Sequence, residues 1–200
     1  MTSREAGAEA TRERIAAAAL ELLERDGPEA VSMRRVAKMV GVTPMAIYHH
    51  YADRQALLQA LVYSELEKLN ALAARAAAPG ARPADLIRAA DAYLDYALER
   101  PHMFDYIYSA RRPRPVRYPE DIRARKSLAL TSLADEIAVS MEQGEMAKDD
   151  VWEVTLQCWA HTHGFVALYR AGWFTLDEKA FRALYHRAVL RLVRGLRATS

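Results

Sequence analysis

Residues 36–51, VAKMVGVTPMAIYHHY, hold a short turn between two short helical patterns. Three residues in this stretch have the chemistry of a helix-turn-helix. Ala37 is small enough for two helices to cross closely, Gly41 tolerates the positive φ of a tight turn, and Ile47 offers an apolar anchor. Thr43 can cap the second of these helices, with Pro44 in its first turn. The stretch therefore predicts a helix-turn-helix that ends near residue 51.

The sequence on both sides is also helical in pattern. Apolar residues recur on one helical face from about Thr11 to Arg25, and Gly27 ends that pattern. Ser32 and Asp53 are expected to cap the second and fourth helices.

Further helices are expected at about 84–100, from 101 onward, and at about 120–143, 149–171 and 177–197. No strand pattern or repeat is found, so the fold class is all-α. The last helix has the most regular apolar stripe, formed by Phe181, Leu184, Tyr185, Ala188, Val189, Leu192, Val193 and Leu196. A face of this width needs a partner surface, which is either the core or a second subunit.

Composition narrows the class of protein. Hydrophobic residues make up 52% of 200 residues, which is enough for a buried core, and a single cysteine excludes an internal disulfide framework. No apolar run is long enough to span a membrane, and the first residues lack the apolar core of a signal peptide. We therefore expect a cytoplasmic protein without a membrane partner.

Positive charge is concentrated around the predicted turn. Residues 32–55 contain Arg34, Arg35, Lys38 and Arg54 against Asp53 alone, although the net charge of the whole chain is only +2. A local patch of this kind suits contact with phosphates.

The second helix of such a motif can lie in the major groove of DNA. Its outward side chains offer a hydroxyl, ring groups and apolar surface for base edges, and they are Thr43, Pro44, Met45, Tyr48 and His49. Arg34 and Arg54 lie at helix N-termini, where a cation and backbone N–H groups can hold phosphates.

Residues 26–62 resemble the DNA-binding domain of TetR-family transcriptional regulators. The resemblance lies in the order V-A-x-x-V-G-V, I-Y-x-H-Y and D-R-x-x-L-L-x-A. It departs from the family at Tyr51, where Phe is usual, and at Arg54, where Lys is common. By this resemblance, Arg34, Thr43, Pro44, Met45, Tyr48, His49 and Arg54 match DNA-contacting positions. Segments 93–109 and 159–172 look like parts of the family's regulatory domain.

The resemblance implies a DNA-binding domain at residues 1–55 and a helical effector-binding and dimerisation domain at 56–200. It also implies a homodimer on a near-palindromic operator, with repression relieved by a small molecule and no cofactor. Aromatic helices predict a largely apolar or aromatic effector. The candidate effector-binding residues are Tyr93, Tyr96, Phe104, Tyr108, Trp159 and His163, and a plain aromatic core is the alternative for most of them.

Two histidine-containing sequences and one basic segment each have more than one interpretation. His49 and His50 are poor metal ligands as a pair, because neighbours on a helix point about 100° apart, and no metal is expected. His163-Gly164 is interpreted as a tight packing point, with a pocket hydrogen bond from His163 as the alternative. The basic segment 111–126 is interpreted as a solvated loop rather than an entrance for an anionic ligand.

An enzyme and an adaptor are the two alternatives to a regulator. An enzyme is disfavoured because no nucleophile, base and orienting group share a recognisable spacing. An adaptor could use the same helix-turn-helix for protein contact. We therefore predict a sequence-specific DNA-binding transcriptional regulator, most simply a repressor.

Overall fold

The computed structural model describes residues 3–76, 83–109, 117–125 and 128–198. Within these ranges the chain is helical. The helices are α1 (Ser3–Asp26), α2 (Met33–Val40), α3 (Pro44–Tyr48), α4 (Arg54–Ala76), α5 (Pro83–Glu99), α6 (Pro101–Ser109), α7 (Glu120–Arg123), α8 (Leu128–Glu142), α9 (Val151–Arg170) and α10 (Glu178–Gly195). A 3₁₀ turn at Pro28–Ala30 follows α1. The described part of the chain contains no strand, and the predicted all-α class is confirmed.

The expected helix at 120–143 is interrupted. Residues 120–123 form the single turn α7, and α8 begins only at Leu128. Of the basic segment 111–126, residues 117–125 are described, and the others lie outside the described residues. Residues 120–123 of this segment form the turn α7, whereas most of residues 117–125 are exposed, as expected for a solvated segment. Each arginine in this range is also paired with an acid, as shown by Arg117–Asp121, Arg123–Asp150 and Arg125–Asp135.

The chain divides into two compact units. The first contains Met1–Glu65 and Glu99–Arg112, and the second contains Leu66–Leu98 and Pro113–Ser200. The first unit thus includes α1 to α3, the first half of α4, and α6. This division follows packing, and the functional boundary at residue 55 stays a prediction.

The core of the first unit is built from the apolar faces that the sequence pattern predicts. α1 contributes Ile15, Ala19, Leu22 and Leu23, all no more than 1% exposed. α2, α3 and α4 add further buried residues to this core, namely Met33, Val36, Ala37, Val40, Ile47, Leu57, Leu58 and Leu61. Removing this apolar surface from water is what holds the short helices α2 and α3 in place, since isolated helices of this length are unstable.

The second unit buries most of the α10 stripe. Phe181, Tyr185, Ala188, Val189 and Val193 are buried, whereas Leu184, Leu192 and Leu196 are half-buried. The Tyr185 hydroxyl donates to the Ala90 carbonyl of α5 at 2.8 Å. Phe181 stacks on Tyr169 of α9 with ring centroids 3.9 Å apart. The partner of the stripe is thus mainly the core of this unit.

Cys158 of α9 is a buried free thiol, as expected for a small apolar side chain. Burial raises the pKa of this thiol to about 11. The thiolate that nucleophilic chemistry requires is therefore disfavoured at this position.

Candidate nucleic-acid interface

The turn between α2 and α3 has the predicted glycine geometry. Gly41 follows α2 with φ of 75°, in the left-handed region that side chains rarely adopt. The N–H groups of Gly41 and Val42 both donate to the Ala37 carbonyl at 3.0 Å. These two bonds close the end of α2 and turn the chain directly into α3.

Side-chain caps set the starts of the helices around this turn. Ser32 Oγ accepts the Arg35 N–H at 3.2 Å, and Thr43 Oγ1 accepts the Ala46 N–H at 3.3 Å. Asp53 Oδ1 accepts the Ala56 N–H at 2.7 Å. All three predicted caps are confirmed, and each satisfies a backbone donor that has no partner inside its helix.

α3 presents one face to the core and one to solvent. Ile47 is fully buried, whereas Met45 is 67% exposed and Tyr48 is 48% exposed. The other exposed residues on this outer face are Thr43, Pro44 and His49. The five residues predicted to contact DNA, three in α3 and two flanking it, are thus all exposed.

α1 contacts this helix-turn-helix through residues that are far apart in sequence. Arg14 Nη2 donates to the Val40 carbonyl at the end of α2, at 2.7 Å. The Arg12 guanidinium lies 5.4 Å from the ring centroid of Tyr51, and the Tyr51 hydroxyl donates to the Arg12 carbonyl at 3.5 Å. Sequence reasoning missed Arg12 and Arg14, because nothing local to either residue indicates a partner on the turn.

The positively charged side chains of residues 32–55 differ in whether they already pair with an acid of the protein. Arg35 pairs with Asp26 at 2.9 Å, and hydrogen bonds from Arg25 and Arg35 lower the pKa of that carboxyl. Arg34 and Lys38 are exposed on α2, and neither forms an ion pair within the described ranges. Arg34 and Lys38 are therefore the cations that α2 can offer to phosphates. Lys38 belonged to the predicted patch but not to the predicted contact residues.

Arg54 has partners inside the protein. Its Nε donates to the Val31 carbonyl at 2.8 Å, and its Nη2 donates to the Pro28 carbonyl at 2.7 Å. Glu29 lies 3.6 Å away as a surface ion pair. The guanidinium thus ties the start of α4 to the segment before α2, which is a different arrangement from the expected phosphate clamp.

In the second unit, three of the candidate effector residues come together. His163 Nδ1 and the Tyr93 hydroxyl share a hydrogen bond of 2.8 Å, and Trp159 stacks on the His163 ring with centroids 5.2 Å apart. Burial lowers the pKa of His163, which favours the neutral ring. The cluster can therefore present aromatic faces beside a neutral hydrogen-bonding pair.

Within a single chain, the described residues show no tight packing at Gly164. A Cβ built on Gly164 meets no described atom within 4 Å. The alternative interpretation, a hydrogen bond made by His163, matches the contact with Tyr93.

The remaining candidate effector residues are dispersed. Tyr96 is buried in the second unit at 5% exposure. Phe104 and Tyr108 lie on α6, which belongs to the first unit, with ring centroids 4.8 Å apart. The six candidates thus fall into two groups, one in each unit.

The described residues contain neither a metal-ligand cluster nor a membrane-spanning helix. No three histidine, cysteine, aspartate or glutamate side chains converge there as a possible metal site. Nor does any helix in that part of the chain have the length and apolar character needed to cross a bilayer.

Two family models match the chain. Residues 15–61 match "Bacterial regulatory proteins, tetR family", and residues 86–192 match "Tetracyclin repressor-like, C-terminal domain". Together they cover the helix-turn-helix and more than half of the whole chain.

Curated relatives are also regulators. An uncharacterized HTH-type transcriptional regulator of Mycobacterium tuberculosis is 27% identical over 189 residues, which is 94% of this chain and 83% of the relative. The HTH-type transcriptional repressor KstR of Mycolicibacterium smegmatis is 32% identical over 103 residues, which is 50% of each chain.

Solved structures have the same fold. A protein of unknown function from Rhodococcus sp. RHA1 has a TM-score of 0.77 and 27% identity, over 94% of this chain and 95% of that one. The ketosteroid transcriptional regulator KstR2 of Mycobacterium tuberculosis has a TM-score of 0.61 and 21% identity, over 94% of this chain and 95% of that one. The second of these similarities concerns the fold alone.

Proposed function

The chain belongs to the TetR family of DNA-binding transcriptional regulators, and we propose that it is a repressor that a small-molecule effector releases from a near-palindromic operator. Proteins of this family are regulators rather than enzymes. The observation that carries the proposal is the exposure of five side chains on α3 and its two flanking residues, on a helix fixed by the Thr43 cap and the buried Ile47. We place this activity in the cytoplasm.

In this proposal, the helix-turn-helix of residues 1–55 reads the operator. Side chains of α3 and its two flanking residues face base edges in the major groove, namely Thr43, Pro44, Met45, Tyr48 and His49. Arg34 and Lys38 contact phosphates, which fix the register of the protein on the duplex without reading sequence. Arg54 acts on the same function indirectly, because its bonds to Pro28 and Val31 hold the segment that leads into α2.

Residues 56–200 are proposed to bind the effector and to form a homodimer, which is typical of the family. One edge of α9 supports a role in dimerisation. Ala160 and Leu168 are exposed there, and the space beside Gly164 is open. Pairing of α9 and α10 with their two-fold mates would give a four-helix bundle. Two-fold symmetry then places the two recognition helices about 34–36 Å apart, so the operator would be a near-palindrome.

The proposed effector is largely apolar or aromatic. The Tyr93–His163–Trp159 cluster supports this, because it combines ring faces with one hydrogen-bonding pair. The names of two similar proteins agree with the proposal. KstR of Mycolicibacterium smegmatis is named a repressor, and KstR2 of Mycobacterium tuberculosis is named a ketosteroid regulator.

A band-shift titration tests the α3 assignment. The double variant Thr43→Ala/Tyr48→Ala is expected to lose about 1–3 kcal/mol of discrimination between the operator and an unrelated duplex for each base contact removed. Tyr63→Ala is the matched control, because Tyr63 is 57% exposed on α4 and is not on the α3 face.

The control is expected to bind as the wild type does. Urea unfolding of all variants corrects for the cap that Thr43→Ala removes, which is worth about 0.5–2 kcal/mol. Wild-type discrimination in the double variant would overturn the assignment of α3 as the reading element.

A further inference from the structure

We propose that the operator is read mainly through the C5-methyl groups of thymines, with Met45 and Tyr48 as the side chains that contact them. This rests on the proposed function and specifies which groups of the operator the α3 face recognises. The proposal comes from what the α3 face exposes and from what it lacks.

The recognition segment lacks the side chains that make paired hydrogen bonds to purines. Residues 41–51 contain no Arg, Lys, Asn, Gln, Asp or Glu. Bidentate reading of guanine requires a guanidinium or ammonium group, and bidentate reading of adenine requires an amide. The α3 face therefore has no group for the commonest specific contacts.

Apolar surface takes the place of those groups. Met45 is 67% exposed and Tyr48 is 48% exposed on the outer face, next to the exposed ring of Pro44. The Thr43 hydroxyl already accepts the Ala46 N–H as the helix cap, which leaves its methyl group and one O–H on the outer side. His49 provides the ring nitrogens of this face, each of which makes one hydrogen bond at a time.

The thymine methyl is the apolar group that the major groove presents. It projects from C5 beside O4, and no other standard base has a methyl group there. Contact with Met45 or Tyr48 removes both apolar surfaces from water. Burying one such group is worth about 0.8 kcal/mol, which converts to about a four-fold change in Kd.

Replacing single thymines by deoxyuridine tests the proposal directly. Deoxyuridine keeps O4, N3 and the pairing with adenine, and lacks only the methyl group. The probe is the operator duplex obtained by selection from random sequences, and binding is measured by fluorescence anisotropy at constant salt. We expect about four-fold weaker binding for each methyl removed opposite α3, and no change at thymines outside the half-sites.

A double-mutant cycle identifies the side chain. Met45→Ala protein is expected to lose its response to deoxyuridine at one position of each half-site, because the methyl then has no partner. Met39→Ala is the matched control, since Met39 is an exposed methionine on α2 at 41%, and it is expected to respond as the wild type does.

The outcomes separate this inference from the proposed function. Specific operator binding that is unchanged by every deoxyuridine would overturn methyl reading and leave the regulator assignment in place. Loss of the response in Met39→Ala and not in Met45→Ala would overturn the assignment to α3. If no duplex is selected, the proposed function itself fails.

Discussion

Replacing Arg54 by methionine separates a structural role from a phosphate contact. The guanidinium donates to the carbonyls of Val31 and Pro28 at 2.8 and 2.7 Å, so methionine removes one donor from each, and the Pro28 carbonyl keeps the Val31 N–H at 3.1 Å. Methionine keeps much of the apolar stem, and therefore mainly tests the lost hydrogen bonds. Arg54→Lys keeps the charge but cannot reproduce the two-pronged geometry.

The expected loss of stability follows from the two bonds. A hydrogen bond to a charged group is worth about 1.5–3 kcal/mol. The Arg54 side chain is 38% exposed, so water replaces part of this interaction and the ion pair with Glu29 adds little. We therefore expect Arg54→Met to lower the free energy of unfolding by about 2–3 kcal/mol. Arg54→Lys is expected to lose most of the same amount.

Two measurements decide between the roles. Urea unfolding gives the stability of each variant, and operator binding at several salt concentrations gives the slope of log K against log salt. If the role of Arg54 is structural, that slope stays unchanged in both variants at temperatures where they are folded. If Arg54 instead contacts a phosphate, Arg54→Met should keep wild-type stability and reduce the slope by about 1, whereas Arg54→Lys should keep the wild-type slope. That result would refute the structural role of Arg54.

The other predictions concern stability, pH and assembly. Arg100 Nη1 lies 2.7 Å from Glu65, whose side chain is 1% exposed, and 3.2 Å from Glu24. Arg100→Met should therefore lower the free energy of unfolding, measured in urea, by about 2–3 kcal/mol. A loss below about 0.5 kcal/mol would contradict this. Burial raises the pKa of Glu136 from 4.5 to about 7, so the folded protein binds more protons and stability should fall as pH rises from 4.5 to 7. Glu136→Gln should reduce the change in the free energy of unfolding between pH 4.5 and 7 by about 1–2 kcal/mol, a figure lowered because Glu136 is only partly buried. Identical pH profiles for this variant and the wild type would contradict the prediction. A Cβ at Gly164 meets no described atom of its own chain within 4 Å, so Gly164→Leu is expected to fold and to weaken the dimer by about ten-fold or more in sedimentation. Unchanged association would remove Gly164 from the interface.

Local chemistry explains why the helix-turn-helix was predictable. Ser32, Thr43 and Asp53 each cap a helix that begins within a few residues, and Gly41 ends the helix beside it. Such signals involve neighbouring residues, so a single sequence contains them. The inward position of Ile47 followed from the same helical period.

Contacts between distant residues could not be predicted in this way. Arg14 reaches Val40 across 26 positions, and Arg54 reaches Pro28 across 26 positions in the other direction. An arginine at the surface and an arginine bonded to a carbonyl have the same sequence pattern. Only packing shows which of the two a given residue is.

The candidate effector site illustrates the same limit. Tyr93 and His163 are 70 residues apart and form a hydrogen bond, whereas the sequence suggested only that His163 could make one in a pocket and did not identify Tyr93 as its partner. Phe104 follows α5 closely in sequence, yet it belongs to the first unit, where its helix α6 contacts α1. Aromatic composition indicated which residues to consider, but not which of them share a site.

Selection of bound duplexes from a random pool tests the central claim most directly. Folded protein is incubated with the pool at physiological salt, and bound duplexes are amplified and sequenced over several rounds. We predict enrichment of a near-palindrome whose half-sites lie about 10–10.5 base pairs apart, or a multiple of that distance. Enrichment should be lost in Thr43→Ala/Tyr48→Ala and retained in Tyr63→Ala. A folded wild-type protein that enriches no sequence would contradict the assignment of α3 as a DNA-reading helix and would favour an adaptor.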